Sequence, residues 1–241
     1  MFRPGWKMTA FTVLFAPLLF WLGNWQLARE QEKILLQQEY EAKQAADPLP
    51  VASVDWSQAG LGFTGVFADG EYDNEHVFLL DNRVHEGKVG YELLSPFVTD
   101  SGLELLVNRG WIPLGRTRTE LPSVREIHGR VHIQGSIYVP LEEAFRLGSE
   151  EEIVTGTGPR VLQDIDMGRI AESLDANMAP YTIRLLPGSP GLEQANWQAV
   201  NMLPEKHRAY AVQWFAMLTA LIGMFIYFGF KNPRMDQSRE Q

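Results

Sequence analysis

The chain has 241 residues, a formal net charge of −9, 45% hydrophobic residues and no cysteine. That length allows one ordinary domain with appendages and a real core, and the acidic balance argues against nucleic acid or an anionic membrane surface as a partner. Without cysteine there is no disulfide framework, thiolate copper site, CxxC redox pair or covalent c-type haem attachment.

A mean hydropathy of −0.16 conceals two uncharged apolar blocks, one toward each end. The first, Met8–Trp25, is close to the roughly 20 residues that a helix needs to cross about 30 Å of hydrocarbon. Arg3 and Lys7 before it resemble the basic region of a signal peptide, but no A-x-A site follows, so an uncleaved anchor is predicted. Residues 26–48 are polar and helix-favouring, with Glu39 and Lys43 in the favourable i,i+4 order, and Pro48 and Pro50 end the run.

Beyond Pro50 the pattern changes to short alternating or apolar runs between turn residues, which indicates strands. They are predicted at Phe63–Phe67, His76–Arg83, Val89–Val98, Leu103–Asn108, Ile127–Val139, Tyr181–Leu186 and Trp197–Met202, with Thr99–Gly102 as a hairpin loop. In Asn108-Arg109-Gly110-Trp111, Gly110 suits a turn and Pro113 ends the pairing. Trp111 packed on the domain and a docking surface built on Arg109 and Trp111 both remain open there. The acidic stretch Leu141–Pro159 reads as a loop, and a short helix capped by Asp166 is predicted over Asp166–Leu174.

The second apolar block, Ala209–Phe230, is again long enough to span. Basic residues flank both blocks on their outer sides (Arg3 and Lys7; Lys231, Arg234 and Arg239), so both termini are predicted to be cytoplasmic. The middle, Gln26–Arg208, has 16 basic against 28 acidic residues, net −12, and falls outside the cytoplasm. The expected organisation is a cytoplasmic N-terminus (1–7), a transmembrane helix (8–25), a polar helical extension (26–48), a periplasmic β-rich domain (49–206), a second transmembrane helix (209–230) and a cytoplasmic tail (231–241). The fold class is two transmembrane α-helices flanking a mainly antiparallel β-barrel or sandwich. With no transit peptide ahead of MFRPGWK, a bacterial inner membrane is the expected location.

Candidate chemistry is sparse. His128 and His132 are i,i+4, but their segment alternates with period two, which turns both to water roughly 13 Å apart. His76 and His85 fall at strand ends and read as surface residues. No GxSxG, SxxK, HExxH or phosphate-cradling glycine loop occurs, so an enzyme is not expected. A membrane-tethered hydrolase would need a nucleophile–base pair that the sequence does not offer.

His207 differs by position. It begins a helical stripe with Tyr210, Ala211, Trp214 and Leu218 at the outer end of the second span. Such a histidine is either part of an interfacial aromatic belt or an iron ligand beside stacking aromatics.

Several motifs carry a resemblance. Leu22-Gly23-Asn24-Trp25-Gln26-Leu27-Ala28-Arg29 is similar to the L-G-x-W-Q-L-x-R of the surfeit locus 1 family, membrane-bound assembly factors of cytochrome c oxidase. Gly65-Val66-Phe67, Arg83, Gly90-Tyr91 and Ser95-Pro96-Phe97 follow in the family's order. Leu106-Val107-Asn108-Arg109-Gly110-Trp111-Ile112-Pro113 resembles its L-V-N-R-G-W-V-P, and His207-x-x-Tyr210-Ala211-x-x-Trp214-Phe215 its H-x-x-Y-A-x-x-W-F. Glu205 stands where the family often has asparagine.

The resemblance implies a non-enzymatic chaperone in the biogenesis of respiratory complex IV. It would bind haem a transiently and assist its insertion into the catalytic subunit of a haem-copper oxidase, with haem a synthase as a further candidate partner. His207 would be the iron ligand. Tyr210, Trp214 and Trp25 would wall the cofactor, and Lys206 and Arg208 would neutralise its propionates. Arg109 and Trp111 are the candidate partner-binding residues. The alternative is a scaffold without haem that stabilises an oxidase intermediate through its periplasmic domain.

Overall fold

A computed structural model describes residue 2 and residues 4–115, 120–140, 158–195, 197 and 202–231. The chain divides into two compact units, Met1–Glu39 with Ala199–Gln241, and Tyr40–Gln198.

The first unit is helical. Helix α1 runs without interruption from Trp6 to Ala45, so the apolar run and the polar extension form one element. At 1.5 Å per residue its 40 residues reach roughly 60 Å, about twice the hydrocarbon thickness. Pro17 lies inside it, within the apolar stretch where a proline is tolerated.

The second unit is built on strands. After β1 (Leu49–Pro50) and a short 3-10 turn (Val51–Ser53) come β2 (Gly65–Tyr72), β3 (Phe78–His85), β4 (Lys88–Thr99), β5 (Glu104–Pro113), β6 (Val131–Tyr138) and β7 (Arg160–Leu162). Helix α2 (Met167–Leu174) and β8 (Thr182–Leu185) complete it, before helix α3 (Pro204–Lys231) returns the chain to the first unit. Strand β2 pairs with β6 from Gly65 to Gly70 and with β4 from Gly70 to Tyr72, so β2, β6, β8, β5 and β4 close into a five-stranded ring. Closure removes the free edges that an open sheet would carry. The ring is antiparallel except where β5 and β8 run parallel. Strand β3 extends the sheet from the other half of β4, with β7 parallel beside it.

Every ring strand points apolar residues inward, among them Val66, Phe97, Val107, Ile137 and Ile183. A second cluster seats Ile170 of α2 against Phe78, Leu94 and Leu106. Gly70 allows the sharp β2–β4 crossing, since a Cβ there would stand 2.1 Å from the Val98 carbonyl.

The expected architecture is present, and the differences are local. Strand β2 starts at Gly65 instead of Phe63 because Phe63 has φ +65°. Strand β6 starts at Val131 because Gly129, at φ +77°, turns the chain and leaves His128 outside the strand. Gly110 is no turn: β5 runs on through it to Pro113. The register between β4 and β5 shifts, with Leu94 opposite Asn108 and Leu93 opposite Gly110, so Arg109 is the extra residue of a bulge. The hairpin at Thr99–Gly102 forms as predicted, Gly102 N–H donating to the Thr99 carbonyl. Asp166 caps α2 by accepting from Arg169 N–H at 3.1 Å. Strands β1 and β7, of two and three residues, are too short to announce themselves by periodicity. Residues 141–157 of the acidic loop and 198–201 of the last predicted strand lie outside the described residues.

Candidate functional site

In the helical unit the two motifs recognised in the sequence meet. Positions 23, 26 and 30 share one face of α1 by their i, i+3, i+7 spacing. A Cβ on Gly23 would lie 2.6 Å from Cζ of Phe215, so the glycine lets α3 bring that ring against the α1 backbone. Phe20 meets the same ring edge-on at 6.2 Å. One turn on, His207 Nδ1 and Gln26 Oε1 are hydrogen-bonded at 2.8 Å. A further turn on, Arg208 donates through Nε to Glu30 Oε1 at 2.6 Å, and its Nη2 stands at 2.6 Å from the same oxygen. Glu30 is only 7% exposed, which is tolerable for a carboxylate because the guanidinium meets it directly.

The remaining valences of this cluster are unmet. His207 Nε2 is buried and has no hydrogen-bond partner, and so is Trp214 Nε1, two turns further along α3. Were the ring's single proton on Nδ1, Nε2 would be a bare lone pair. A neutral imidazole so arranged is the form that binds a metal, and the bond through its other nitrogen sets its orientation. The donor chemistry therefore fits an iron porphyrin.

The other predicted pocket residues fall on the same unit. Trp25 and Tyr210 are exposed at 42% and 48%, and Trp25 carries the Arg29 guanidinium 5.7 Å from its ring centroid. Lys206 is exposed, while Arg208 is engaged by Glu30. Gln26 and Glu30 were not among the predicted site residues. The signal for them was Gln26 inside the first motif, with Glu30 one turn on as an acid following an apolar span.

Arg109 and Trp111 are inside the barrel unit, 1% and 4% exposed. Arg109 Nε donates to the Gly191 carbonyl at 2.9 Å, Nη2 to the Arg125 carbonyl at 2.8 Å and Nη1 to Ser95 Oγ at 3.3 Å. Its guanidinium lies 5.3 Å from the Tyr72 ring centroid, and Tyr72 Oη donates to the Pro190 carbonyl at 3.0 Å. Burial pulls the arginine's pKa below its ordinary value, against Tyr72 and Glu193, which raise it, and Arg125, which adds to the lowering. Burial raises that of Tyr72, with Arg109 opposing. Around the arginine the backbone grips residues 193–194: Glu193 N–H donates to the Arg109 carbonyl at 2.7 Å and Trp111 N–H to the Gln194 carbonyl at 2.7 Å. Gly110, at φ +108°, is required because a Cβ would stand 2.6 Å from that Gln194 oxygen. Trp111 Nε1 donates to the Arg83 carbonyl at 3.0 Å. The motif is a clamp inside the fold, and a docking role for these two side chains would require the exposure they lack.

The histidines of the barrel are otherwise employed. His76 Nδ1 meets Asp73 Oδ2 at 2.6 Å, His132 Nδ1 meets Asp69 Oδ1 at 3.1 Å, and His85 packs on the Trp111 ring at 5.3 Å. Among the described residues no group of three or more His, Asp or Glu is placed to hold a metal ion.

Both long helices are apolar and long enough to cross a bilayer, and little of either apolar stretch is covered by the rest of the protein. A core helix would be mostly buried, so the class is a membrane protein carrying a β-barrel domain. The SURF1 family profile matches residues 13–219, and the chain belongs to that family. A SURF1-like protein of Mycobacterium bovis is 26% identical over 99% of this chain and 89% of its own length. A SURF1-like protein of Rickettsia felis is 24% identical over 92% and 94%, and surfeit locus protein 1 of Takifugu rubripes is 27% identical over 53% and 60%. The family is one of cytochrome oxidase assembly factors.

Proposed function

We propose that this chain serves oxidase assembly by holding haem a at the membrane interface for insertion into the catalytic subunit of a haem-copper oxidase. The observation that carries the reading is the buried, unpartnered Nε2 of His207, an acceptor kept from water with its ring already oriented. Haem a would supply the iron centre that the oxidase needs. His207 ligates it, Trp214, Tyr210 and Trp25 offer aromatic walls, and Lys206 is the exposed cation for a propionate. Arg208 is committed to Glu30 and serves instead to hold α3 on α1.

The position of the cluster supports the interface. Gln26 and Glu30 follow Trp25, where the apolar run of α1 ends, and His207 and Arg208 precede the apolar run of α3. In this reading both termini lie in the cytoplasm of a bacterial cell, the spans cross the inner membrane, and the barrel is periplasmic. Haem a synthase is the donor that such a role requires.

The test is an absorption spectrum of the detergent-purified chain co-expressed with the haem a synthesis enzymes, wild type beside His207→Ala. A haem a spectrum in the first and its loss in the second is expected. Apoprotein in both, under abundant supply, would leave the chain a scaffold for an oxidase intermediate.

A further inference from the structure

We infer that Gln26 is a positioning residue that locks His207 in the Nδ1–H tautomer and so presents a bare Nε2 lone pair for ligation. For its ligand, though not for the tautomer itself, the inference rests on the haem reading above.

The argument starts from valence. A neutral imidazole has one N–H and one lone pair, and each must go to one nitrogen. Gln26 Oε1 stands 2.8 Å from Nδ1, and a carbonyl oxygen accepts only, so this orientation of the amide requires the proton on Nδ1. The reverse orientation of the amide would let it donate to Nδ1 and force the proton onto Nε2. Nε2 is buried with no acceptor in reach, so a donor would be stranded there. Either arrangement leaves one unmet group. Only the first leaves a lone pair, and a lone pair is what a metal can satisfy.

The placement of Gln26 is equally specific. Gly23, three residues before it, admits the Phe215 ring, and Glu30, four residues after it, binds Arg208. These contacts flank the glutamine on the same face of α1 and fix the rise and rotation at which its amide meets the histidine. A shift of α1 by one residue would rotate Gln26 about 100° away from α3. Glu30–Arg208 thus sets the approach of the helices, and Gln26 sets the state of the ring.

The test uses the full chain in detergent micelles with histidine labelled with nitrogen-15 in the imidazole. The His207 signals are identified by their absence in His207→Ala. The wild type is expected to show Nδ1 protonated and Nε2 bare in one tautomer. Gln26→Leu should give a mixture that includes Nε2–H, and Gln26→Glu should restore the single tautomer. An identical tautomer in wild type and Gln26→Leu overturns the inference.

Titration with ferric haem b as probe then separates the two ideas. Gln26→Leu is expected to bind roughly 10–100-fold more weakly, the usual loss when the outer partner of a metal-binding histidine is removed. Gln26→Glu should bind and shift the iron potential to more negative values, because a carboxylate acceptor makes the imidazole a stronger donor. Equal affinity of wild type and Gln26→Leu, with binding abolished by His207→Ala, overturns the role of Gln26 and keeps the haem reading. A tautomer controlled by Gln26 with no haem bound by any variant keeps Gln26 and removes the haem reading.

Discussion

The barrel and the helix pair each take nitrogen atoms of a chemically expressive residue out of water, and they treat them in opposite ways. In the barrel, Arg109 places its Nε, Nη1 and Nη2 on three oxygens and lays its face near Tyr72. In the helix pair, His207 has one nitrogen held and the other buried without a partner. A buried polar group whose bonds are complete is part of the scaffold. One with a spare valence is a place where something else can bind. Counting unmet atoms does not make this division, because Arg83 and Arg184 in the barrel also bury an unpartnered Nε. Arg184, however, stacks at 3.5 Å on Tyr138 and at 5.0 Å on Trp197, a use for its flat face that does not need that hydrogen.

If the contrast holds, changes in the barrel motif act on stability and changes at the histidine act on ligand. The largest effect is expected from Arg109→Met, which strands the Gly191 and Arg125 carbonyls. Chemical denaturation of the full chain in detergent should show a loss of about 3–4 kcal/mol, and a loss under about 1 kcal/mol would break the comparison. Gly110→Ala comes next, at about 2–3 kcal/mol, since the new Cβ meets the Gln194 carbonyl in a left-handed backbone. His207→Ala should cost about 1 kcal/mol or less, one hydrogen bond at the helix pair, while removing the haem signal.

The smallest effect sharpens the same contrast within the barrel. Asp73 is partly buried, which alone would raise its pKa. Hydrogen bonds from the His76 ring and from the Glu75 and His76 backbone outweigh this and hold it below the ordinary carboxylate value. A carboxyl group with a depressed folded pKa adds stability above its unfolded pKa, ordinarily about 3.9. That contribution is lost as pH falls through the folded value. Thermal melts of the wild type should therefore weaken below about pH 4, and Asp73→Asn should flatten that limb. A limb of unchanged steepness would show that other carboxylates carry it.

The sequence by itself determined the two helices, because an uncharged run of bilayer length has few other places to go. It also gave most ring strands to within a few residues, since alternation of side chains is a local property. The starts of β2 and β6 lie beyond what alternation shows, because the deciding events are left-handed residues, Phe63 and Gly129, which no periodicity records. Ring closure depends on β2 reaching both β6 and β4, a pairing between segments far apart in the chain. The same holds for the motifs. Read locally, Arg109 and Trp111 left packing and a docking surface both open, and nothing in the neighbouring residues named a partner for Arg208. Only tertiary structure sets Gly191 and Arg125 opposite Arg109, Glu30 opposite Arg208, and Gln26 opposite His207. Those contacts join residues far apart in sequence. Which valence of a buried group remains open is decided by such neighbours, and the residue type alone does not contain it.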